Sequence, residues 1–336
     1  MQAIVKEIEM TADANGVVIN TIYFGGGTPS ILPVEDIAAV LKTIRGLYDV
    51  SNDAEITLEA NPDDITTEKL KGWRSIGVNR LSMGIQSFFE EDLKWMNRAH
   101  NATQAGNGLE LALQYFDNIT IDLIYGTPGL SNERWQQNVE RAIAYGIPHL
   151  SCYALTVEPK TPLDKLIRQH KKHDVDPEIQ SQQFLLLMDW LQAAGYEHYE
   201  ISNFAKPGHR SRHNSSYWQG KPYIGIGPSA HSFNGVSRKW NVANNQQYID
   251  AINNDVLPVE EEVLTPVQQL NEKIMIALRT MEGLDLAIFV DGEKNQILKV
   301  AKKYIDGNLL MLHDDKLILT NEGKLYADGI AADLFF

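Results

Sequence analysis

Short apolar runs alternate with helix-patterned stretches through the first 200 residues, and that rhythm restricts the chain to βα units on a parallel sheet. Strands are expected at 17–24, 55–59, 80–85, 119–124, 149–155 and 197–201. Helices are expected at 34–47, 67–76, 90–97, 102–115, 132–145 and 178–194. Gly46, Gly77, Gly146 and Gly195 follow helical runs, where a residue of positive φ commonly ends a helix.

The first of these units carries the most pointed signal. Thr21-Ile22-Tyr23-Phe24 runs straight into Gly25-Gly26-Gly27-Thr28-Pro29, and a helix begins a few residues later. Three glycines leave backbone amides bare, so a ligand can approach the chain itself, or the amides can form an anion-binding nest. A tight βα turn is the plainer reading of the same residues. Polar residues recur at later strand ends: Glu59 after 55–58, Gln86 after 81–85, and Asp122 within 119–124. In parallel α/β folds the carboxyl ends of the strands form the ligand-binding rim. Glu59, Gln86 and Asp122 are therefore expected to converge on the glycine turn. Singly, each could equally be a helix cap or a loop-stabilising group.

Composition bounds the function. The 336 residues carry a formal charge of −14, which argues against a general nucleic-acid surface. No apolar run reaches membrane-spanning length. Residues 1–9 read as part of an amphipathic helix, not as a signal peptide, and a cytoplasmic location is expected. Cys152 is the sole cysteine, which excludes an intrachain disulfide and any multi-cysteine metal centre built from these residues alone. Its apolar surroundings, 149–154, suit a small core residue.

A second dense stretch spans 199–233. Lys206, Arg210 and Arg212 form a basic island beside His209, His213, Tyr217 and Trp218 in an otherwise acidic chain. Imidazole can ligate haem iron, aromatics suit the macrocycle faces and cations suit its propionates. From composition alone, a solvated basic loop with satisfied histidines is the reading to prefer. From about residue 265 the pattern changes to helices and then a hairpin with an Asp314-Asp315 turn, as in a small winged-helix-like domain. Its acidity argues against DNA binding.

Taken in order, the stretches 21–30, 59–63, 79–88, 97–101, 121–129, 199–208, 213–218 and 225–233 resemble the HemW haem-chaperone branch of the radical S-adenosylmethionine family, which is related to oxygen-independent coproporphyrinogen III oxidase. The resemblance covers nearly the whole chain. It implies an α/β fold, an open partial (βα) barrel with a small winged-helix-like C-terminal domain. The implied domains are a barrel at 1–200, an extension bearing the haem motif at 201–264, and the C-terminal domain at 265–336. Gly25, Gly26, Gly27 and Thr28 then resemble the loop that holds the methionine amino group of S-adenosylmethionine. Glu59, Gln86, Arg98 and Asp122 resemble its polar contacts to the methionine and ribose parts; a guanidinium suits the carboxylate. His213-Asn214-Ser215-Ser216-Tyr217-Trp218 matches the H-N-x-x-Y-W haem signature, with His213, Asn214, Tyr217 and Trp218 at its fixed positions. His213 is the implied iron ligand, with His209 and His231 as competitors.

The implied function is a haem chaperone that binds haem and S-adenosylmethionine and passes haem to a client protein. The alternatives are an oxygen-independent coproporphyrinogen III oxidase-like enzyme and an inert fragment. The family opens with a strand and a Cys-x3-Cys-x2-Cys loop that ligates a [4Fe–4S] cluster, and the sequence with Cys152 alone supplies neither. The expectation is a truncated chain, impaired or inactive, without radical chemistry and with at most weak S-adenosylmethionine binding. Its first strand is expected to lack an outer neighbour, with poor solubility as the consequence.

Overall fold

The structure is a computed structural model and describes residues 1–12 and 17–336. In chain order the elements are α1 (Gln2–Thr11), β1 (Val18–Phe24), α2 (Val34–Leu47), β2 (Asp49–Ala60), α3 (Thr67–Ile76), β3 (Arg80–Gln86), α4 (Glu90–Trp95), α5 (Ala102–Ala112), β4 (Ile119–Tyr125), α6 (Asn132–Ala144), β5 (His149–Ala154), α7 (Pro162–Arg168), α8 (Pro177–Ala193), β6 (Glu197–Glu200) and β7 (Asn203–Ala205). Then follow α9 (Arg212–Trp218), β8 (His231–Phe233), β9 (Ser237–Asn241), α10 (Asn245–Asn253), β10 (Val259–Val263), α11 (Pro266–Leu278), β11 (Leu284–Asp285), α12 (Asp291–Asp306), β12 (Leu310–His313), β13 (Lys316–Leu319), α13 (Asn321–Lys324) and α14 (Ala327–Asp333).

The largest sheet has the order β1-β2-β3-β4-β5-β7-β6. Strands β2 to β5 pair in parallel, and β7 joins β5 antiparallel. This is the α/β, partial (βα)-barrel class expected. No described helix is long and apolar enough to cross a membrane.

Two compact units share the chain. One comprises 24–31 and 57–211, the other 1–23, 32–56 and 212–336. In the first, the period-2 alternation of a strand sorts residues onto two faces. Leu81, Met83 and Ile85 of β3, Ile119, Ile121 and Leu123 of β4, and Leu150 of β5 are fully buried on one face. Tyr125, at the end of β4, packs its ring against Trp135 of α6 and Phe184 of α8. Each such large side chain contributes about 1.5–3 kcal/mol by leaving water. Cys152 shares this face as a small buried residue.

The opposite face is polar: Thr57, Arg80, Ser82, Thr120, His149 and Ser151 are all buried there. Neighbouring strands pair them, with Ser82 beside Thr120, Thr120 beside His149 and Asp122 beside Ser151. Such a face is tolerable because most of its groups bond one another, although the Thr57 hydroxyl has no hydrogen-bond partner among the described residues. Thr120 Oγ1 lies 3.0 Å from His149 Nδ1, and His149 Nε2 lies 2.7 Å from the Tyr199 hydroxyl. Burial holds His149 well below the usual imidazole range, so it is neutral.

In the second unit, α1 docks through a carboxylate. Glu7 is buried and accepts bonds from the Gly227 amide (2.7 Å), Asn241 Nδ2 (2.6 Å) and the Tyr248 hydroxyl (2.5 Å). The C-terminal part sets α11 and α12 beside the sheet β11-β13-β12, with α14 against α11. The β12–β13 hairpin turns at Asp314 and Asp315, with φ of 47° and 63°, as its Asp-Asp pair suggested.

Three expectations need correction. Gly46 lies inside α2, which runs to Leu47, so it ends no helix. Gly77, Gly146 and Gly195 do have positive φ after α3, α6 and α8. Strand β2 begins at Asp49, six residues before the apolar run, because its first half is polar and mostly exposed. Residues 212–218, read as loop, form helix α9.

Candidate functional site

The glycine turn and the strand-end polar residues lie in the first unit and meet. Gly26 and Gly27 stand at φ of 75° and 65°, a conformation that favours glycine, and a Cβ on either would meet nothing within 4 Å. Their backbone is therefore open to an approaching group. The Gly26 amide donates to Glu59 Oε2 at 3.2 Å. Ser30 anchors the far end of the turn: its fully buried hydroxyl donates to Asp64 Oδ2 (2.6 Å) and accepts from the Asn61 amide (3.2 Å), while Lys69 Nζ donates to its carbonyl (2.7 Å). Gly108 of α5 lets Pro62 come close, since a Cβ there would sit 2.7 Å from the Pro62 carbonyl oxygen.

At the end of β3, Gly84 opens a space that three side chains share. A Cβ at Gly84 would meet Gln86 Nε2 at 2.9 Å, an Arg98 guanidinium nitrogen at 3.4 Å and Asn61 Oδ1 at 3.8 Å. Gln86 itself has φ of 65°, and the Ser87 amide bonds the Ile85 carbonyl at 2.8 Å. This is a three-residue turn of the rare positive-φ kind, whose strain is retained mainly at functional positions. Arg98 arrives from the turn after α4, where Asn97 takes the left-handed φ of 55° that Asn tolerates. Beside it His100 is buried, with Nε2 3.1 Å from the Ile85 carbonyl. Arg98 Nε is buried with no hydrogen-bond partner among the described residues.

Asp122 completes the group. Burial, with the Glu59 carboxylate adding to it, pushes its pKa up to about 7; Ser151, Arg80 and Arg98 act in the opposite direction. Gly26, Glu59, Gln86, Arg98 and Asp122 are thus brought together at one end of the parallel strands. Chemically the cluster offers an open glycine backbone, two carboxylates that repel each other, and a guanidinium with a donor to spare. Asn61 and Gly84 also belong to it and went unassigned in the sequence. A glycine inside the strand pattern 80–86 was the available signal, since it marks a close approach.

The H-N-x-x-Y-W residues lie on α9, in the second unit. The Glu55 carboxylate, on β2, receives the backbone amides of Arg212 (3.1 Å) and His213 (3.0 Å), which fixes the start of the helix. His213 is half-buried. Its ring stacks on Tyr23 of β1 with centroids 4.8 Å apart, and Nδ1 lies 2.9 Å from Thr21 Oγ1. Nε2 lies 3.0 Å from the Tyr217 hydroxyl. Asn214 is half-buried on the same helix, and the Arg279 guanidinium stands over the Trp218 ring at 5.5 Å.

The basic island is engaged by local partners. Arg210 pairs with Glu197 (2.9 Å), Arg212 with Asp53 (3.3 Å), and Lys206 donates to the Ala194 carbonyl. The other two candidate histidines are exposed, His231 lying over Trp240 with centroids 6.3 Å apart. Among the described residues no three or more His, Cys, Asp or Glu side chains gather as metal ligands.

A family model described as the radical SAM superfamily matches residues 1–142, and one described as the HemN C-terminal domain matches 264–326. The heme chaperone HemW of Mycobacterium tuberculosis is 34% identical over 335 residues, covering 99% of this chain and 85% of that protein. The heme chaperone HemW of Bacillus subtilis is 33% identical over 319 residues, covering 93% and 84%. Among solved structures, the radical SAM coproporphyrinogen III oxidase HemN of Escherichia coli superimposes with a TM-score of 0.85 at 24% identity, over 99% of this chain and 82% of that one. At that identity the likeness concerns the fold.

Proposed function

The chain belongs to the HemW family of radical S-adenosylmethionine proteins, and on that premise we propose that it is a cytoplasmic haem chaperone, taking haem at His213 and passing it to a client protein. The observation that carries this reading is the mounting of His213. Its ring is clamped by Tyr23 and Thr21, its backbone is held by Glu55, and its outer nitrogen faces a side chain that can turn away. A metal-ligating imidazole usually has its second nitrogen fixed in this manner. Trp218 adds a second large ring on the same helix, with the Arg279 guanidinium over it. The three cations of the basic island already have partners, so the propionates would find other donors or water.

The cluster around Gly26 suits S-adenosylmethionine. The unsatisfied Arg98 Nε calls for an acceptor, and the methionine carboxylate is one. The open backbone of Gly25 to Thr28, with Glu59 bonded to the Gly26 amide, would take the methionine amino group. Gln86 would contact the same methionine part, and Asp122 would accept from a ribose hydroxyl. Bound beside a reduced [4Fe–4S] cluster, the sulfonium of S-adenosylmethionine supplies a deoxyadenosyl radical. The residues in hand do not fit that cluster: Cys152 is a single buried thiol kept neutral by its surroundings. With Cys152 as their one thiol these 336 residues would not support the radical step, and without the iron contact S-adenosylmethionine would be held weakly.

Titration with haem tests the reading. A Soret band is expected in the wild type, lost in His213→Ala and kept in His209→Ala and His231→Ala. Retention of the band in His213→Ala would remove the proposed ligand. Delivery is tested by mixing the loaded protein with an apo haem enzyme: transfer no faster than passive haem release would leave a binder and not a chaperone.

A further inference from the structure

We infer that Tyr217 is an internal competitor of the haem iron: its hydroxyl holds the lone pair of His213 Nε2, and haem loads by displacing it. This rests on the reading of His213 as the iron ligand.

The two ring nitrogens are not equivalent. Nδ1 faces Thr21 Oγ1 at 2.9 Å on β1, and Nε2 faces the Tyr217 hydroxyl at 3.0 Å. A phenol is a far stronger acid than an aliphatic alcohol, so the phenol is the better donor and the threonine hydroxyl the better acceptor. Tyr217 O–H therefore donates to Nε2, and Nδ1–H donates to Thr21. That tautomer places the basic lone pair on Nε2, the nitrogen turned away from the strand. The ring cannot easily rotate to offer the other nitrogen, because it stacks on Tyr23 with planes 17° apart.

The competitor is also movable. Residues 213 and 217 are four apart on one helix, so the contact is local and its loss unfolds nothing. The Tyr217 side chain is 39% exposed. Its ring meets His213 and Tyr223 edge-on, with centroids at 5.0 and 4.7 Å, and is not locked between parallel faces. Loading then exchanges one O–H···N bond for an iron–Nε2 bond. The proton stays on the tyrosine, and release reverses the exchange. A returning hydroxyl lowers the affinity and assists departure, as suits a carrier that must give its cargo up. The net worth of a typical hydrogen bond makes the penalty roughly fivefold in affinity.

Haem titration of the wild type, Tyr217→Phe and His213→Ala separates the possibilities. Tyr217→Phe keeps the ring contacts and removes the hydroxyl. It is expected to bind haem about fivefold more tightly, with an unchanged Soret maximum and slower transfer to apomyoglobin. Equal or weaker binding with the Soret band intact would overturn the competitor while leaving His213 as ligand. Altered iron spectra in Tyr217→Phe would make Tyr217 a ligand and overturn it as well. Haem binding undiminished in His213→Ala would remove the underlying reading instead. A second readout needs no variant: nitrogen NMR of the haem-free protein should show Nδ1 protonated and Nε2 bare, and the opposite tautomer would sink the inference.

Discussion

A glycine decides whether Gln86, Arg98 and Asn61 can meet, because only position 84 without a side chain leaves room for all three. Gly84→Ala should therefore separate folding from binding. The new methyl would press on the flexible ends of Gln86 and Arg98, which can shift, so the denaturation midpoint should hardly move. Affinity for S-adenosylmethionine in equilibrium dialysis should fall roughly tenfold, as for loss of one charge-assisted hydrogen bond. Asp122 makes a second prediction at this scale. Its carboxyl titrates near 3.8 when unfolded and at about 7 in the native protein. Between those values the native state holds a proton that the unfolded state has released, so this group makes stability fall as pH rises. Urea midpoints at pH 5 and pH 8 should differ less in Asp122→Asn than in the wild type. An equal or larger difference in the variant would contradict the burial of Asp122 beside Glu59.

At the scale of elements, α1 is held by more than its apolar stripe. Glu7 accepts three buried donors from Gly227, Asn241 and Tyr248. Glu7→Ala should cost about 3 kcal/mol or more in chemical denaturation, since each orphaned donor carries its own desolvation penalty; a loss below about 1 kcal/mol would mean that water replaces the carboxylate. The same element shows why legibility was uneven. The amphipathic pattern of residues 1–9 revealed a helix but not the burial of Glu7 on it, because its partners lie more than 200 positions away in sequence. Strands β3, β4 and β5 were read within a residue or so, since buried parallel strands are continuous apolar runs with sharp ends. Helix α9 and the sheet of β10, β9 and β8 were not. These elements are short and rich in polar residues, only β10 being exposed throughout, and what orders them is the Glu55 carboxylate and strand pairing, not local propensity. Glu59 and Gln86 stood out because each ends an apolar strand, and Asp122 because it interrupts one, whereas Arg98, in the turn after α4, came only from the family resemblance. The left-handed turn at Gln86 was not legible, because nothing in the residue's identity announces it.

For the molecule as a whole, charge and sulfur content set the chemistry. With a formal charge of −14 the surface should repel nucleic acid at low and physiological salt, an effect that fades as salt screens it. Reconstitution of these 336 residues with iron and sulfide under reducing conditions should leave no cluster absorption, because Cys152 is the one thiol. A stable [4Fe–4S] spectrum from this chain would refute that and reopen radical chemistry for it. Cys152 has a practical corollary. It is a buried residue of β5, and burial keeps it as the unreactive thiol instead of the thiolate. Maleimide and spin-label reagents should pass it by, so two cysteines engineered onto the surface would accept probes without background, and the distance between the two labels could follow α9 as haem is added.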